Sequence, residues 1–125
     1  MVKKIEMEFP VRSSVKILYG KLATANGLQE WFADHVSQQK DVFTFSWEGD
    51  ERSARLVGHK DNEYVRFKWT DDAMKESYFE FRIRVDELTG DVALVVTDFC
   101  EEEEEDEIRR LWDHQIHDLL HIIGS

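Results

Sequence analysis

Apolar and polar residues alternate through most of the first hundred positions, the period of strands with one buried face. Lys3 to Phe9 sets Ile5, Met7 and Phe9 on one side, and Pro10 is expected to end this strand. Val42 to Trp47 sets Phe43, Phe45 and Trp47 against Thr44 and Ser46, and Glu48-Gly49-Asp50 supplies a turn. Arg52 to His59 carries Ala54 and Leu56 on one side. After Lys60-Asp61-Asn62, Tyr64 to Trp69 aligns Val65, Phe67 and Trp69. Tyr78 to Val85 alternates most regularly, with Phe79, Phe81, Ile83 and Val85 opposite Glu80, Arg82 and Arg84. Thr89-Gly90-Asp91 closes a hairpin onto Val92 to Phe99. That last run is apolar at nearly every residue, as in a strand covered on both faces. His35 to Ser37 carries only a weak strand signal.

The period changes to that of a helix in two places. Val15, Leu18, Tyr19 and Leu22 recur at helical spacing behind Ser13 or Ser14 as N-cap. Asn26-Gly27 is expected to break this helix, with Asn26 capping a short second one that carries Leu28, Trp31 and Phe32. At the end of the chain Ile108, Leu111, Trp112, Ile116, Leu119, Leu120 and Ile123 form an apolar stripe, and Gly124 is a fitting stop. The pattern predicts an α+β fold in which this C-terminal helix packs across an antiparallel sheet.

At 125 residues the chain fits one domain, residues 1–125, with a core large enough to need no staples. One cysteine, Cys100, cannot form an internal disulfide. No apolar run reaches the length of a membrane span, and the first residues lack the apolar core of a signal peptide. The expected location is the cytoplasm. The formal net charge of −11 argues against nucleic acid and anionic membranes as partners. Much of that charge is one unbroken run, Glu101 to Glu107, at the start of the last helix, where the dipole tolerates it.

The order of elements is similar to that of the helix-grip fold of the START-like superfamily, also called Bet v 1-like or SRPBCC. Local segments carry the resemblance. Gly27-Leu28-Gln29-Glu30-Trp31-Phe32 resembles the segment after the first helix in the group related to the activator of Hsp90 ATPase. Phe43-Thr44-Phe45-Ser46-Trp47 resembles that group's following strand. Leu94-Val95-Val96-Thr97-Asp98-Phe99, an acidic stretch and Leu111-Trp112 fit as well. The best match is to small bacterial START-like domain proteins typical of Bacteroidetes. The resemblance implies a curved sheet around the long helix, with a gap able to hold an apolar ligand. Its lining would come from Phe45, Trp47, Phe67, Trp69, Phe79 and Phe81 on strands and from Trp112, Ile116 and Leu119 on the helix. Trp31 and Phe32 would sit near the mouth.

Each candidate has a plain structural alternative. The aromatic stripe makes either a ligand pocket or a core that these large rings fill. His117 and His121 lie at metal-ligand spacing, but on the side opposite the Trp112–Ile116 stripe, so no metal site is expected. The acidic run lacks the Asp/Asn and Gly pattern of a calcium loop. Cys100 beside those acids is a poor thiolate. Asp98 with His59 or His35 offers an acid and a base without a defined geometry. No phosphate-binding glycine motif or nucleophile elbow occurs, and no cofactor is expected. The reading is therefore a non-enzymatic domain binding a small hydrophobic, lipid-like or aromatic molecule. A protein-interaction or chaperone-associated module with a filled core comes second, and a small enzyme third. An exposed strand edge allows a monomer or a homodimer.

Overall fold

A computed structural model of the chain describes residues 1–71 and 76–125. In chain order it contains strand β1 (Val2–Val11), helices α1 (Val15–Ala23) and α2 (Ala25–Gln29), and strands β2 (His35–Gln39), β3 (Val42–Trp47), β4 (Asp50–Lys60), β5 (Tyr64–Trp69), β6 (Phe79–Val85) and β7 (Val92–Glu101). A 3-10 turn, Glu102–Glu104, leads into helix α3 (Glu105–Ile122). The strands form one antiparallel sheet in the order β1-β7-β6-β5-β4-β3-β2. The sheet curves around α3, which is the α+β helix-grip arrangement.

Strand alternation decides which side chains enter the core. Ile5, Met7 and Val11 of β1 are buried with Phe43 and Phe45 of β3, Phe67 of β5, and Phe79, Phe81 and Ile83 of β6. Leu94, Val96 and Cys100 of β7 join them from the same face, opposite Trp112, Ile116 and Leu119 of α3. Pro10 does not end β1: the strand runs on to Val11, with Pro10 facing Ala93. β1 is an edge strand, so a residue without an N–H costs no ladder bond on its open side.

The first helical pair departs from the predicted capping. Ser14 caps α1 by accepting from the Ile17 N–H at 3.1 Å. Thr24, not Asn26, caps α2, accepting from the Gly27 N–H at 2.9 Å while donating to the Gly20 carbonyl at 2.7 Å. Gly27 has a packing role: a Cβ built there would lie 2.1 Å from the Gly20 carbonyl oxygen. Only glycine lets α2 fold this tightly onto α1. Trp31 and Phe32 follow α2 in the turn that leads to β2.

The weakly signalled β2 is a true strand, though short and mostly exposed. Its Val36 N–H is held by the Gln29 side chain at 2.9 Å. Glu48 and Gly49 both take positive φ, 36° and 93°, in the two-residue β3–β4 turn. A bulge between Leu56 and Gly58 shifts the β4–β5 register. β7 lies second from the edge, flanked by β1 and β6, and is covered on both faces: Val95 and Thr97 are buried on the side away from α3.

That outer face is polar and tightly paired. Glu80 is only 5% exposed and receives both Arg66, at 2.7 and 2.9 Å, and Arg82, at 3.2 Å. Arg66 lies over the Tyr78 ring and Arg82 over the Tyr64 ring, each at 4.3 Å. Burial pushes the Glu80 carboxyl up, but the hydrogen bonds from Arg82 and Arg66 outweigh it and hold it below the ordinary range.

The acidic run is divided among three structural tasks. Glu101 closes β7 and binds the N-terminal ammonium at 2.8 Å. Glu102–Glu104 form the 3-10 turn. Glu105 opens α3 and accepts from Lys3 at 2.6 Å and Arg109 at 2.8 Å. Those two cations lower the Glu105 pKa, as expected of an acid held at a helix start. At the other end of α3, Gly124 (φ 74°) and Ser125 return their N–H groups to His121 and Leu120 in a Schellman stop.

Candidate functional site

The space between α3 and the sheet is divided by the rings that line it. Under the middle and C-terminal part of α3, Phe45, Phe67, Phe79, Phe81, Ile116 and Leu119 have essentially no exposed surface. Phe67 stacks on Phe79 at 5.1 Å, and Phe81 meets Phe79 edge to face at 5.8 Å. This part of the grip is filled with protein, because aromatic rings in offset and T-shaped contact leave little room between them.

Nearer the N-terminal end of α3 the filling stops. An open groove of about 400 Å³ lies between Ile108, Leu111, Trp112 and Gln115 of α3 and the sheet side, where Phe32, Trp47, Trp69, Arg52 and Asp98 face it. A second hollow of about 430 Å³ adjoins it, sharing Arg52, Trp69, Asp98 and Ile108, and continues to Asp71, Ser77, Tyr78 and Phe99. The first hollow is walled mainly by rings and aliphatic chains, the second mainly by polar groups.

Phe32 is the hinge between filled core and groove. Its ring stacks on Trp112 at 6.0 Å and on Phe79 at 5.9 Å, and meets Phe45 edge-on at 5.0 Å. Its carbonyl accepts from the Trp47 indole at 2.8 Å and from Gln115 at 3.3 Å, so one residue ties the α2–β2 turn to both β3 and α3. Trp31 is buried behind it, T-shaped on Phe81 at 5.5 Å, with its indole N–H on the Lys21 carbonyl at 2.8 Å. Each indole thus has its polar edge satisfied and its apolar face left for packing.

The structure brings the sequence-derived lining residues into one continuous aromatic cluster but gives them different positions. Phe32, Trp47, Trp69 and Trp112 border the groove. Trp31, Phe45, Phe67, Phe79, Phe81, Ile116 and Leu119 lie in the packed interior behind it. Ile108, Leu111 and Gln115 complete the helix wall.

Two charged residues stand on the core side of the sheet: Arg52, which the apolar stripes do not mark, and Asp98, which the sequence offers only as an acid beside His59 or His35. Arg52 pairs with Phe45 across β3–β4 and has the parity of Ala54 and Leu56, so it points to the α3 side. Its guanidinium lies over the Trp69 ring at 4.0 Å and bonds Asp71 through Nη2 at 2.7 Å and Nε at 3.1 Å. Asp98 has the parity of Leu94 and Val96, and pairs with Ile5. Its Oδ2 accepts the Trp112 indole N–H at 2.9 Å and its Oδ1 the Phe99 N–H at 2.8 Å. The available signal was a charge at the end of an apolar alternating stripe. Asp98 is thus a positioning group for Trp112.

His114, His117 and His121 are all exposed on the outer side of α3, and no grouping of His, Cys, Asp or Glu suited to a metal occurs among the described residues. Cys100 is buried; burial raises its thiol pKa, and Asp98 and Glu105 raise it further. No helix among the described residues is long and apolar enough to cross a membrane.

A curved antiparallel sheet gripping a C-terminal helix, with its cavity at one end of that helix, defines a START-like domain. The sequence profile described as START-like superfamily domain matches residues 1–125, and the chain belongs to that superfamily. It is similar to a Bacteroides fragilis protein solved in solution by NMR, at 38% identity over 94% of this chain and 88% of that one, with a TM-score of 0.70. The Aha1 dimer of Colwellia psychrerythraea shares the fold at 16% identity and a TM-score of 0.80, over 97% of this chain and 96% of that one. DynU16, from the dynemicin biosynthetic locus, shares it at 14% identity and a TM-score of 0.81, over 98% of this chain and 47% of that one. No curated protein matches the sequence.

Proposed function

We propose that this domain binds a small, ring-bearing apolar molecule at the mouth of the helix grip, without transforming it. The observation that carries this reading is the groove of about 400 Å³ walled by Phe32, Trp47, Trp69, Ile108, Leu111 and Trp112. Its size is that of a small-molecule site, and its walls are the mixture of apolar surface and few polar groups that such sites use. Binding would be driven by desolvation of the indole faces and of Leu111, whose side is open to solvent. The deep interior is not the expected ligand compartment, because the protein's own rings occupy it. A library of neutral and charged bicyclic aromatic fragments, screened by thermal shift and by quenching of the groove tryptophans, tests the reading. Saturable binding that is abolished by Leu111→Arg is expected. Absence of saturable binding by any fragment, or binding indifferent to Leu111→Arg, would refute it.

A second reading has its own support. Leu111 is 53% exposed at the groove rim, a position that a protein partner or a second copy could cover. The Aha1 structure of Colwellia psychrerythraea is a dimer. A homodimer that occupies the groove would show as concentration-dependent mass in light scattering, reduced to monomer by Leu111→Arg. A chaperone-type partner would be captured in a manner sensitive to the same change.

A further inference from the structure

Among the described residues Arg52 is the one cation that borders both hollows, and its surroundings are those of a carboxylate receptor. Stacking over Trp69 at 4.0 Å holds the guanidinium plane against one wall and leaves its N–H edges directed away from the ring face. Its Nε and Nη2 edge already grips a carboxylate side-on, that of Asp71, at 3.1 and 2.7 Å. Among the described residues Nη1 donates to no protein acceptor. Asp71 itself stands on the rim with a side chain 59% exposed. An exposed ion pair of this kind contributes at most about a fivefold factor to an equilibrium, so an incoming carboxylate displaces it at small cost.

The charge opposite Arg52 does not compete for the same role. Asp98 already accepts on both oxygens, from the Trp112 indole and the Phe99 backbone. Giving up the Oδ2 bond would release the indole that forms the groove wall. A ligand cation would have to share Asp98 with the bonds that fix Trp112 and the Phe99 backbone, whereas a ligand anion need only exchange with Asp71. The net charge of −11 opposes the approach of any anion, but that field is screened beyond about 8 Å at physiological salt. The contact with the guanidinium fork is made inside that distance.

We infer that the ligand class is an aromatic or alicyclic carboxylate: its ring lies against Trp112 and Leu111, and its carboxylate takes the fork of Arg52, with Asp71 acting as a built-in competitor. This rests on the groove-binding reading above and specifies it. The ring end and the acid end match the two hollows, which meet at Arg52 and Trp69.

The test compares three bicyclic probes of one shape: naphthoate, the neutral naphthamide, and the cationic naphthylmethylamine. Titrations follow tryptophan fluorescence and isothermal heat, on the intact chain and on Arg52→Gln, Arg52→Lys and Asp71→Asn. Circular dichroism melts check that each variant is folded. Naphthoate is expected to bind most tightly. Arg52→Gln should weaken it up to about fivefold, as for loss of an exposed carboxylate–guanidinium pair, and weaken naphthamide less. Arg52→Lys should recover only part of the loss, since a lysine lacks the fork. Asp71→Asn should tighten naphthoate severalfold. If naphthamide binds as well as naphthoate, or naphthylmethylamine binds best, the carboxylate assignment is wrong while groove binding stands. Equal weakening of all probes by Arg52→Gln would reduce Arg52 to a wall residue. Failure of all three probes while other fragments of the library still bind overturns the carboxylate assignment alone; failure of every fragment overturns groove binding as well.

Discussion

The two ends of the α3–sheet interface use the same residue types to opposite effect. Beneath Ile116 and Leu119, rings from β3, β5 and β6 meet at centroid distances of 5.1 to 6.4 Å and exclude solvent. Beneath Leu111 and Trp112, rings of the same kind stand around an open groove. The difference lies in what surrounds each ring. Phe79 has protein on all sides. Trp69 lies at the end of β5 and is covered on one face by the Arg52 guanidinium, which keeps its charged edge in water. Aromatic content does not make a pocket; the end of a strand, where neighbouring backbone runs out, does.

If the interior is a packed core and the mouth a built site, substitutions should separate stability from binding. The largest effect is expected at Phe81, which touches Trp31, Phe79 and Trp112. Phe81→Ala should cost about 3–5 kcal/mol in urea unfolding and so bring the domain close to its unfolding limit. A loss of less than about 1 kcal/mol would mean that the interior is loose enough to admit a ligand. Gly27→Ala comes next. Its Cβ would collide with the Gly20 carbonyl, so α2 must move, carrying the Trp31–Phe32 turn with it. A loss of about 1–3 kcal/mol is expected, together with altered fluorescence of Trp47, which bonds the Phe32 carbonyl.

The outer face supplies a control remote from both ends. Glu80→Gln removes the shared acceptor of Arg66 and Arg82 and should cost about 1–3 kcal/mol at neutral pH. The pH dependence has a definite sign. Glu80 has a folded pKa below its unfolded one, so the unfolded chain binds more protons between the two values. Its stabilisation is complete above the ordinary glutamate pKa of about 4.3 and is lost as pH falls through the lower folded value. The gap in melting temperature between the native chain and Glu80→Gln should therefore close from pH 6 towards pH 3. A constant gap would assign the cost to shape and not to charge.

The smallest effect on stability is expected at the mouth. Leu111 is 53% exposed, so Leu111→Ala should change unfolding by no more than about 0.5 kcal/mol and yet weaken binding of a bicyclic probe several-fold. Equal and large effects on both would place Leu111 in the core and dissolve the contrast between the two ends.

Much of this molecule was legible in residue order. Alternation located most strands and their buried faces, because a period of two leaves one choice of side once a face is apolar. The 3.6-residue stripe located α3 and its buried Trp112, Ile116 and Leu119, and with the strand order it pointed to the superfamily. Capping was less legible: Thr24 displaced Asn26 because the Thr24 hydroxyl also reaches back to the Gly20 carbonyl, a contact that exists only once α1 is formed. Pro10 is tolerated inside β1 because that strand lies at an edge, a property of strand order and not of the strand itself.

What the sequence by itself determined is thus the set of rings that would share one interior, since hydrophobic period assigns each residue to a face. Only the tertiary structure decided which of those rings seal and which stand open, and which charges join them. Arg52 and Asp98 reach the groove because they end inward-facing stripes on strands far apart in the chain, and sheet curvature brings those strand ends to the same end of α3. Periodicity is a local property of the chain. A cavity is the space left over when distant elements have packed, and no local pattern encodes it.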